Sequence, residues 1–173
     1  MSEPVADDVQ GGFSESEKRD NVIRLAFAGN PEEFKRFCDV LEEFVPPGTV
    51  AILRGSAITG KRWKDGAPFD ADGPGTSDLD VTFVGDSCIH YFNVTGFYVP
   101  GVHSRPLCDE DPDVAPDLVP LRRQLMAIVK RPVNLQASRD VVLSLRGDLL
   151  GQPYLTLFTK AEGLSLSKPP TTA

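Results

Sequence analysis

The sequence contains few cysteine, histidine and tryptophan residues: three, two and one, respectively, in a chain of 173 residues. The cysteines stand at positions 38, 88 and 108 without a CxxC spacing, which excludes a disulfide-rich scaffold. We therefore interpret Cys38, Cys88 and Cys108 as reduced thiols of a cytoplasmic protein. The apolar runs are only a few residues long, so the composition also excludes a membrane-spanning helix.

Positive charge is also in deficit. Lysine and arginine number 18 against 25 aspartate and glutamate residues, which gives a net charge of −7. Proteins that bind long nucleic acids normally present a basic surface, because much of the affinity comes from neutralising phosphates. The charge balance therefore disfavours a long nucleic acid as the partner. The acidic opening segment MSEPVADDVQGG lacks the basic and apolar regions of a signal peptide, which agrees with a cytoplasmic location.

Apolar residues make up 40% of the chain, enough for one packed domain. We expect this domain over residues 14–162, between tails at 1–13 and 163–173. Helices and strands alternate, which predicts an α/β (α+β) fold with a small mixed sheet and helices packed on it. The predicted helices cover 15–28, 31–44, 118–129 and 139–146, the last ended by Gly147, and the predicted strands cover 49–53, 78–84, 133–137 and 154–158. The stretches 57–77 and 86–116 are predicted to be loops.

The strand that begins Asp78-Leu79-Asp80 carries the sharpest chemical feature. Alternate side chains of a strand share a face, so Asp78 and Asp80 project together while Leu79, Val81 and Phe83 enter the core. Two carboxylates with α-carbons about 7 Å apart can converge on one hard cation. A solvated strand face that tolerates aspartate is the simpler alternative.

A second feature closes the preceding strand. In Arg54-Gly55-Ser56 a glycine is followed by a small hydroxyl residue, which lets the backbone and the Ser56 side chain approach a phosphate. An ordinary turn at the end of a strand is the alternative interpretation.

Taken together, Gly55-Ser56 and Asp78-Leu79-Asp80 resemble the DNA polymerase beta-like nucleotidyltransferase superfamily. The segment Arg131-Pro132-Val133-Asn134-Leu135 is similar to the third block of the minimal members, and the resemblance covers about residues 50–137. It implies that Gly55 and Ser56 hold the phosphates of an NTP substrate and that Asp78 and Asp80 hold two Mg²⁺ ions. The implied reaction moves a nucleoside monophosphate to a hydroxyl of a small molecule or protein. Arg54 and Lys61 are further candidates for stabilising charge at the nucleotide.

Two features depart from the family's pattern. The connection 57–77 is longer than in minimal members and contains Lys61-Arg62-Trp63-Lys64. These residues either form a substrate loop, with Trp63 stacked on a base, or belong to a solvated loop. Asn134 stands where the family places its third carboxylate, and an amide brings neither charge nor a base. The acids that could replace that carboxylate are Asp109, Glu110, Asp111, Asp113 and Asp140.

Two alternatives to an active transferase stay open. One is a catalytically weak or inactive relative that binds nucleotide or a protein partner, for which the resemblance suggests a small helical protein. The other is an acidic domain whose aspartates bind nothing. His90 with Cys88, and His103 with Cys108, make no complete zinc ligand set. We expect His103 at the surface, with a contact to substrate as the alternative.

Overall fold

The computed structural model describes residues 12–163. The α-helices are α1 (Glu15–Ala26), α2 (Pro31–Phe44), α3 (Ser56–Thr59), α4 (Asp86–Ile89), α5 (Val119–Val129) and α6 (Asp140–Leu150). The strands are β1 (Val50–Arg54), β2 (Leu79–Val84), β3 (Phe97–Val99), β4 (His103–Ser104), β5 (Val133–Ser138) and β6 (Leu155–Thr159). Two 3₁₀ turns, Pro112–Val114 and Pro116–Leu118, precede α5. The predicted tails lie outside the described residues except for residues 12, 13 and 163.

The strands form one mixed sheet in the order β3-β4-β5-β2-β1-β6. The two central strands, β2 and β5, run parallel, and every other neighbouring pair is antiparallel. The parallel pair is connected through α4, β3, β4 and α5, as a parallel pair requires a long crossover. The mixed α/β class predicted from the sequence is confirmed.

The first two helices begin at side-chain caps that the sequence makes visible. Ser14 and Glu17 form a reciprocal capping box at the start of α1. Asn30 accepts hydrogen bonds from the backbone N–H groups of Glu32 and Glu33 at 3.0 and 3.3 Å, with Pro31 as the first residue of α2. These caps explain why the helix starts follow the sequence so closely.

The core lies on one face of the sheet. Leu79, Val81 and Phe83 of β2 are fully buried, as their alternation predicts. They belong to one apolar cluster with side chains from α1, α2 and α5, including Val22, Phe37 and Leu125 among those fully buried. Burial of this apolar surface is the main stabilising contribution to the fold.

The opposite face of the central strands carries polar side chains near the start of β2 and the buried apolar residues Ile52 and Val84 further along. Arg54 of β1 and Asn134 of β5 are the register partners of Asp80, one on each side of it. Two residues further along β2, Thr82 is paired with Gln136 of β5. This polar face positions the candidate site.

Three expectations from the sequence need correction. Helix α6 does not stop at Gly147 but continues to Leu150, so a single glycine does not end it. The stretch 57–77 is not all loop, since the short helix α3 covers residues 56–59. The stretch 86–116 is not all loop, since it contains α4, the strands β3 and β4, and the first 3₁₀ turn. Within residues 12–163, no helix is long and apolar enough to cross a membrane.

Candidate functional site

Two carboxylates and one amide meet where β2 begins beside β5. Asn134 Nδ2 donates hydrogen bonds to Asp78 Oδ2 at 2.7 Å and to Asp80 Oδ1 at 3.0 Å. Both aspartates therefore direct an oxygen at the same point, which is the convergence predicted from their spacing. Asn134 lies in register with Asp80, at the position where the resemblance places a third acid.

The carboxylate of Asp80 is held in an environment that opposes its charge. Burial is the largest cause that raises its pKa to about 6, and the neighbouring charge of Asp78 acts in the same direction. The hydrogen bond from Asn134 and the charge of Arg54 oppose the shift without cancelling it. A buried carboxylate next to a second carboxylate favours a positively charged ligand.

Gly55 forms the turn from β1 into α3 directly beside these acids. Its backbone has φ 106° and ψ −172°, a region that side chains other than glycine rarely adopt. A Cβ at this position would lie 3.4 Å from Asp80 Oδ2. Ser56 follows as the buried first residue of α3. Glycine is therefore required here by the backbone conformation, while a Cβ would make only an ordinary contact with Asp80.

The four residues Gly55, Ser56, Asp78 and Asp80 line one cleft of about 410 Å³. The connection between β1 and β2 supplies further walls, including Arg62, Trp63 and Lys64, with Gln152 after α6. The Trp63 side chain is 58% exposed, so its ring is available at the cleft. A larger cleft of about 690 Å³ lies between α1, α2 and the end of α5 and contains neither aspartate.

The predicted cation Lys61 is not on the lining of this cleft. It is exposed, and its backbone bridges to Pro68 within the connection. Arg62 and Lys64 bring positive charge to the cleft instead, and Arg62 forms ion pairs with Asp72 and, at 3.7 Å, with Asp65. The sequence indicated the basic cluster but not which of its members faces the acids.

The long connection is anchored to the core by Asp70. Its carboxylate accepts hydrogen bonds from the backbone N–H groups of Gly75 and Ser77 and from Arg131 Nη1 at 3.0 Å. Arg131 also donates to the Ser77 carbonyl at 2.8 Å and stacks over Phe69 at 4.5 Å. These bonds fix the segment that leads directly into Asp78.

The hydrogen bonds that anchor Asp70 also lower its pKa. Partial burial raises the pKa, but the hydrogen bonds donated by Arg131 and by the backbone of Ser77 and Gly75 outweigh it and lower the pKa to about 2. Asp70 is therefore ionised throughout the physiological range and serves the structure of the connection rather than a metal.

The structure does not bring the candidate replacement acids to the cleft. Asp109 pairs with Arg122 at 2.6 Å, and Asp111 pairs with Arg105 at 2.8 Å. Glu110 and Asp113 are exposed in the same loop, and Asp140 is exposed at the start of α6. Among the described residues, no group of three or more acidic, histidine or cysteine side chains could hold a metal ion. Besides Asp78 and Asp80, the acid Asp72 also lines the cleft.

The expectation of a surface position for His103 was wrong. His103 is 3% exposed because it lies in β4, paired with Ser138 of β5 and stacked on Tyr98 at 6.1 Å between ring centroids. A strand of two residues leaves no periodicity in a sequence, so its burial could not be predicted. His90 is exposed, whereas Cys88 is buried against Thr49 at 3.5 Å.

Arg54 is buried below the cleft, with its side chain on the polar face of the sheet. It is 4% exposed, and its Nη2 donates to Thr82 Oγ1 at 3.1 Å. The guanidinium thus extends along the sheet toward Thr82.

No protein-family model matches the chain, and no curated protein and no solved structure is significantly similar to it. The resemblance to the nucleotidyltransferase superfamily therefore stays a prediction, and the function has to be argued from the residues of the cleft.

Proposed function

We propose that this protein is a magnesium-dependent nucleotidyltransferase that moves a nucleoside monophosphate from an NTP to a hydroxyl of a small molecule or protein. The observation that carries the proposal is the convergence of Asp78 and Asp80 on one point, beside Gly55 and Ser56, in a cleft that also presents Arg62, Trp63 and Lys64. Such a reaction needs acids that hold the metal, a turn that binds phosphate, and basic and aromatic side chains that bind the rest of the nucleotide.

The donor set fits a divalent cation. The oxygens of Asp78 and Asp80 surround one point that the Asn134 amide now approaches as a donor, and carboxylate oxygens are the ligands that magnesium prefers. Burial and the charge of Asp78 raise the pKa of Asp80, and the charge of Arg54 compensates only in part. Asp78 and Asp80 would hold the metal, with the Asn134 amide oxygen as a neutral third ligand after rotation of the side chain. Bound magnesium would neutralise phosphate charge as pyrophosphate leaves.

The chain's own residues would bind and orient the nucleotide. At Gly55 the absence of a Cβ lets an anion approach the backbone beside Asp80, and the Ser56 hydroxyl can donate to a phosphate oxygen. Arg62 and Lys64 would balance the remaining phosphate charge. Trp63, exposed at the cleft, would stack on the base.

The acceptor is proposed to be a small molecule or protein hydroxyl rather than a long nucleic acid. The net charge of −7 repels an extended polyanion, while a cleft of about 410 Å³ matches a ligand of nucleotide size. The proposed location of this activity is the cytoplasm.

A second candidate function is a catalytically weak or inactive protein of the same kind, which binds nucleotide or a protein partner. Asn134 favours it, because an amide cannot deprotonate a hydroxyl and because no acid of the described residues replaces it within hydrogen-bonding distance of Asp78 and Asp80. Binding would then survive while transfer is lost.

Label transfer from nucleotides distinguishes the two candidates. The full-length protein is incubated with each of the four α-labelled NTPs, with magnesium or EDTA, and with a set of small hydroxyl compounds; transfer to these and to the protein itself is measured. The proposal expects magnesium-dependent transfer that Asp78→Asn abolishes and that the exposed control Asp113→Asn retains. Transfer that persists in Asp78→Asn would contradict the assignment of the metal ligands. Magnesium-dependent binding without any transfer would favour the second candidate.

A further inference from the structure

The polar face of the sheet continues beyond the metal-binding acids, away from the cleft. Three rows of residues cross it, as the register of the strands shows. The first row contains Arg54, Asp80 and Asn134, and the second contains Ile52, Thr82 and Gln136. In the third row, Val84 of β2 and His103 of β4 are the partners of Ser138 of β5. Arg54 and His103 bring basic groups to this face from opposite sides of the central strands.

Arg54 is buried with most of its hydrogen-bonding capacity unused. Its Nη2 donates to Thr82 Oγ1, but Nε and Nη1 have no partner in the described structure and are shielded from solvent. A buried donor without a partner costs about 1–3 kcal/mol, and more when it is charged. A buried polar group that keeps such a cost is typical of a site where a ligand or ion supplies the missing partner.

His103 shares this property. It is almost completely buried, and neither Nδ1 nor Nε2 has a hydrogen-bond partner among the described residues. Burial, together with the positive charges of Arg146 and Arg54, lowers the pKa of His103 to about 4. The ring is therefore neutral at physiological pH, with one N–H donor that a ligand could use.

The surroundings of these two side chains carry excess positive charge. Burial and the charge of Arg146 in α6 lower the pKa of Arg54 to about 10, while Asp80 acts in the opposite direction. Asp80 is already engaged by Asn134, so its carboxylate is not committed to Arg54. Basic side chains from β1, β4 and α6 thus lower one another's pKa values, and Asp80 offsets this effect at Arg54 only in part.

We propose that Arg54 and His103 form an oxyanion-binding subsite that takes a phosphate group of the acceptor substrate. Their unpartnered donors come from two different strands, β1 and β4, and suit a tetrahedral group with several oxygens. The subsite adjoins the metal-binding acids through Arg54, the register partner of Asp80. The acceptor would therefore carry a phosphate as well as the hydroxyl that attacks; this identification of the ligand rests on the proposed function, whereas the subsite itself does not.

The first experiment measures binding of inorganic phosphate by calorimetry, in EDTA and without nucleotide, on the full-length protein. The wild type should bind phosphate saturably, and Arg54→Met and His103→Phe should each weaken binding by about tenfold or more, the usual effect of losing a charged or buried hydrogen bond. The exposed variant Arg123→Met makes the same chemical change outside the subsite and should bind like the wild type. Absence of saturable binding, or unchanged binding in Arg54→Met and His103→Phe, would overturn the proposal.

Folding and the state of His103 are checked in the same samples. Thermal unfolding should show little loss of stability in Arg54→Met, since the lost hydrogen bond to Thr82 is offset by removal of the buried, unpartnered Nε and Nη1. If Arg54→Met does not fold, a phosphate titration of the wild type followed by NMR still tests the subsite, because the pKa of His103 should rise when phosphate binds. A pKa of His103 that phosphate does not change would contradict the subsite.

The second experiment separates the acceptor from the nucleotide as the source of the phosphate. A non-hydrolysable NTP with magnesium is added to the phosphate-loaded protein, and retained phosphate binding supports the acceptor assignment. Displacement of the phosphate would overturn that assignment in favour of the nucleotide's own phosphates. The variant Asp78→Asn/Asp80→Asn should still bind phosphate, because the subsite does not need the metal. If the wild type binds phosphate but no NTP, the proposed function is refuted and the subsite stands.

Discussion

At the scale of single residues, Asn134 decides how the site is interpreted. Its amide donates to Asp78 and Asp80 at once, which holds the two carboxylates together. The arrangement is still electrostatically unfavourable, as the raised pKa of Asp80 shows. Binding sites commonly retain such unfavourable groups because the ligand compensates them.

Replacing Asp80 should therefore stabilise the protein without metal. A raised pKa means that the folded state binds the proton more tightly than the unfolded chain. In the wild type, the stabilisation by protonated Asp80 is therefore complete below about pH 4 and is lost as the pH rises through about 6. We expect Asp80→Asn to raise the Tm by a few degrees at pH 7.5 in EDTA and to have little effect at pH 4. Asp113→Asn, an exposed acid outside the cleft, should not change the Tm. A lower Tm for Asp80→Asn at pH 7.5 would contradict the repulsion between the two acids.

Restoring an acid at position 134 should have the opposite effect on stability. Asn134→Asp removes the bridging donor and adds a third negative charge, so the Tm in EDTA should fall. Magnesium should recover the loss, and any nucleotide transfer should increase. Asn134→Ala removes the donor without adding charge, so magnesium should neither raise its Tm nor increase its nucleotide transfer. Equal responses of the two variants to magnesium would show that position 134 does not face the metal.

At the scale of elements, the connection between β1 and β2 owes its shape to buried anchors. Asp70 and Arg131 tie it to the end of α5 and fix Ser77 beside Asp78. The glycine turn at the end of β1 fixes the other wall of the cleft. The geometry of the site is therefore set by contacts that lie outside the reacting groups.

The anchor at Asp70 should contribute to stability in a pH-dependent way. Its pKa is lower in the folded protein than in the unfolded chain, so the contribution is present above about pH 4 and is lost as the pH falls toward about 2. We expect Asp70→Asn to reduce the free energy of unfolding by about 1–2 kcal/mol at pH 7, since the hydrogen bonds then lose their charge. The exposed Asp72→Asn should cost less, as surface pairs do. A wild-type advantage over Asp70→Asn that persists unchanged at pH 2 would argue against this anchor.

The turn at Gly55 should not tolerate a side chain. Gly55→Ala places a side chain in a backbone conformation open mainly to glycine, so we expect a loss of about 1–3 kcal/mol in denaturant unfolding together with weaker binding of magnesium and nucleotide. Gly66→Ala, at φ 72° with open space around it, serves as the control and should cost less. Similar losses in both variants would mean that the backbone conformation at Gly55 carries no special cost.

The longer elements could be predicted from the sequence because they carry local signals. The caps at Ser14 and Asn30 and the alternation of Leu79, Val81 and Phe83 place α1, α2 and β2 to within a residue or two. The pairing of Asn134 with Asp80 could be anticipated only through the resemblance. The strands β3 and β4 are too short for any period, and the choice of Arg62 and Lys64 over Lys61 depends on how the connection folds back through Asp70. These features are set by tertiary contacts that no local pattern encodes.

At the scale of the whole molecule, one sheet separates two chemically different faces. The helices α1, α2 and α5 cover the apolar face and supply the stability of the fold. The other face carries the acids, the amide and the buried basic groups, with the cleft at its end. The protein carries a net charge of −7, which repels negatively charged ligands. We therefore expect it to bind such ligands only where their charge is neutralised locally, by a cation at Asp78 and Asp80 or by basic side chains.

The most direct test of the central claim is a thermal-shift measurement with the four NTPs, each with and without magnesium. It compares the wild type with Asp78→Asn/Asp80→Asn. A ligand at 100 times its Kd stabilises a protein by about 2.7 kcal/mol, which is readily measured for a domain of this size. We predict that at least one NTP raises the Tm of the wild type only when magnesium is present, and that the double variant loses this shift. If no NTP shifts the wild type, or the double variant responds equally, the nucleotide site proposed at these aspartates is contradicted.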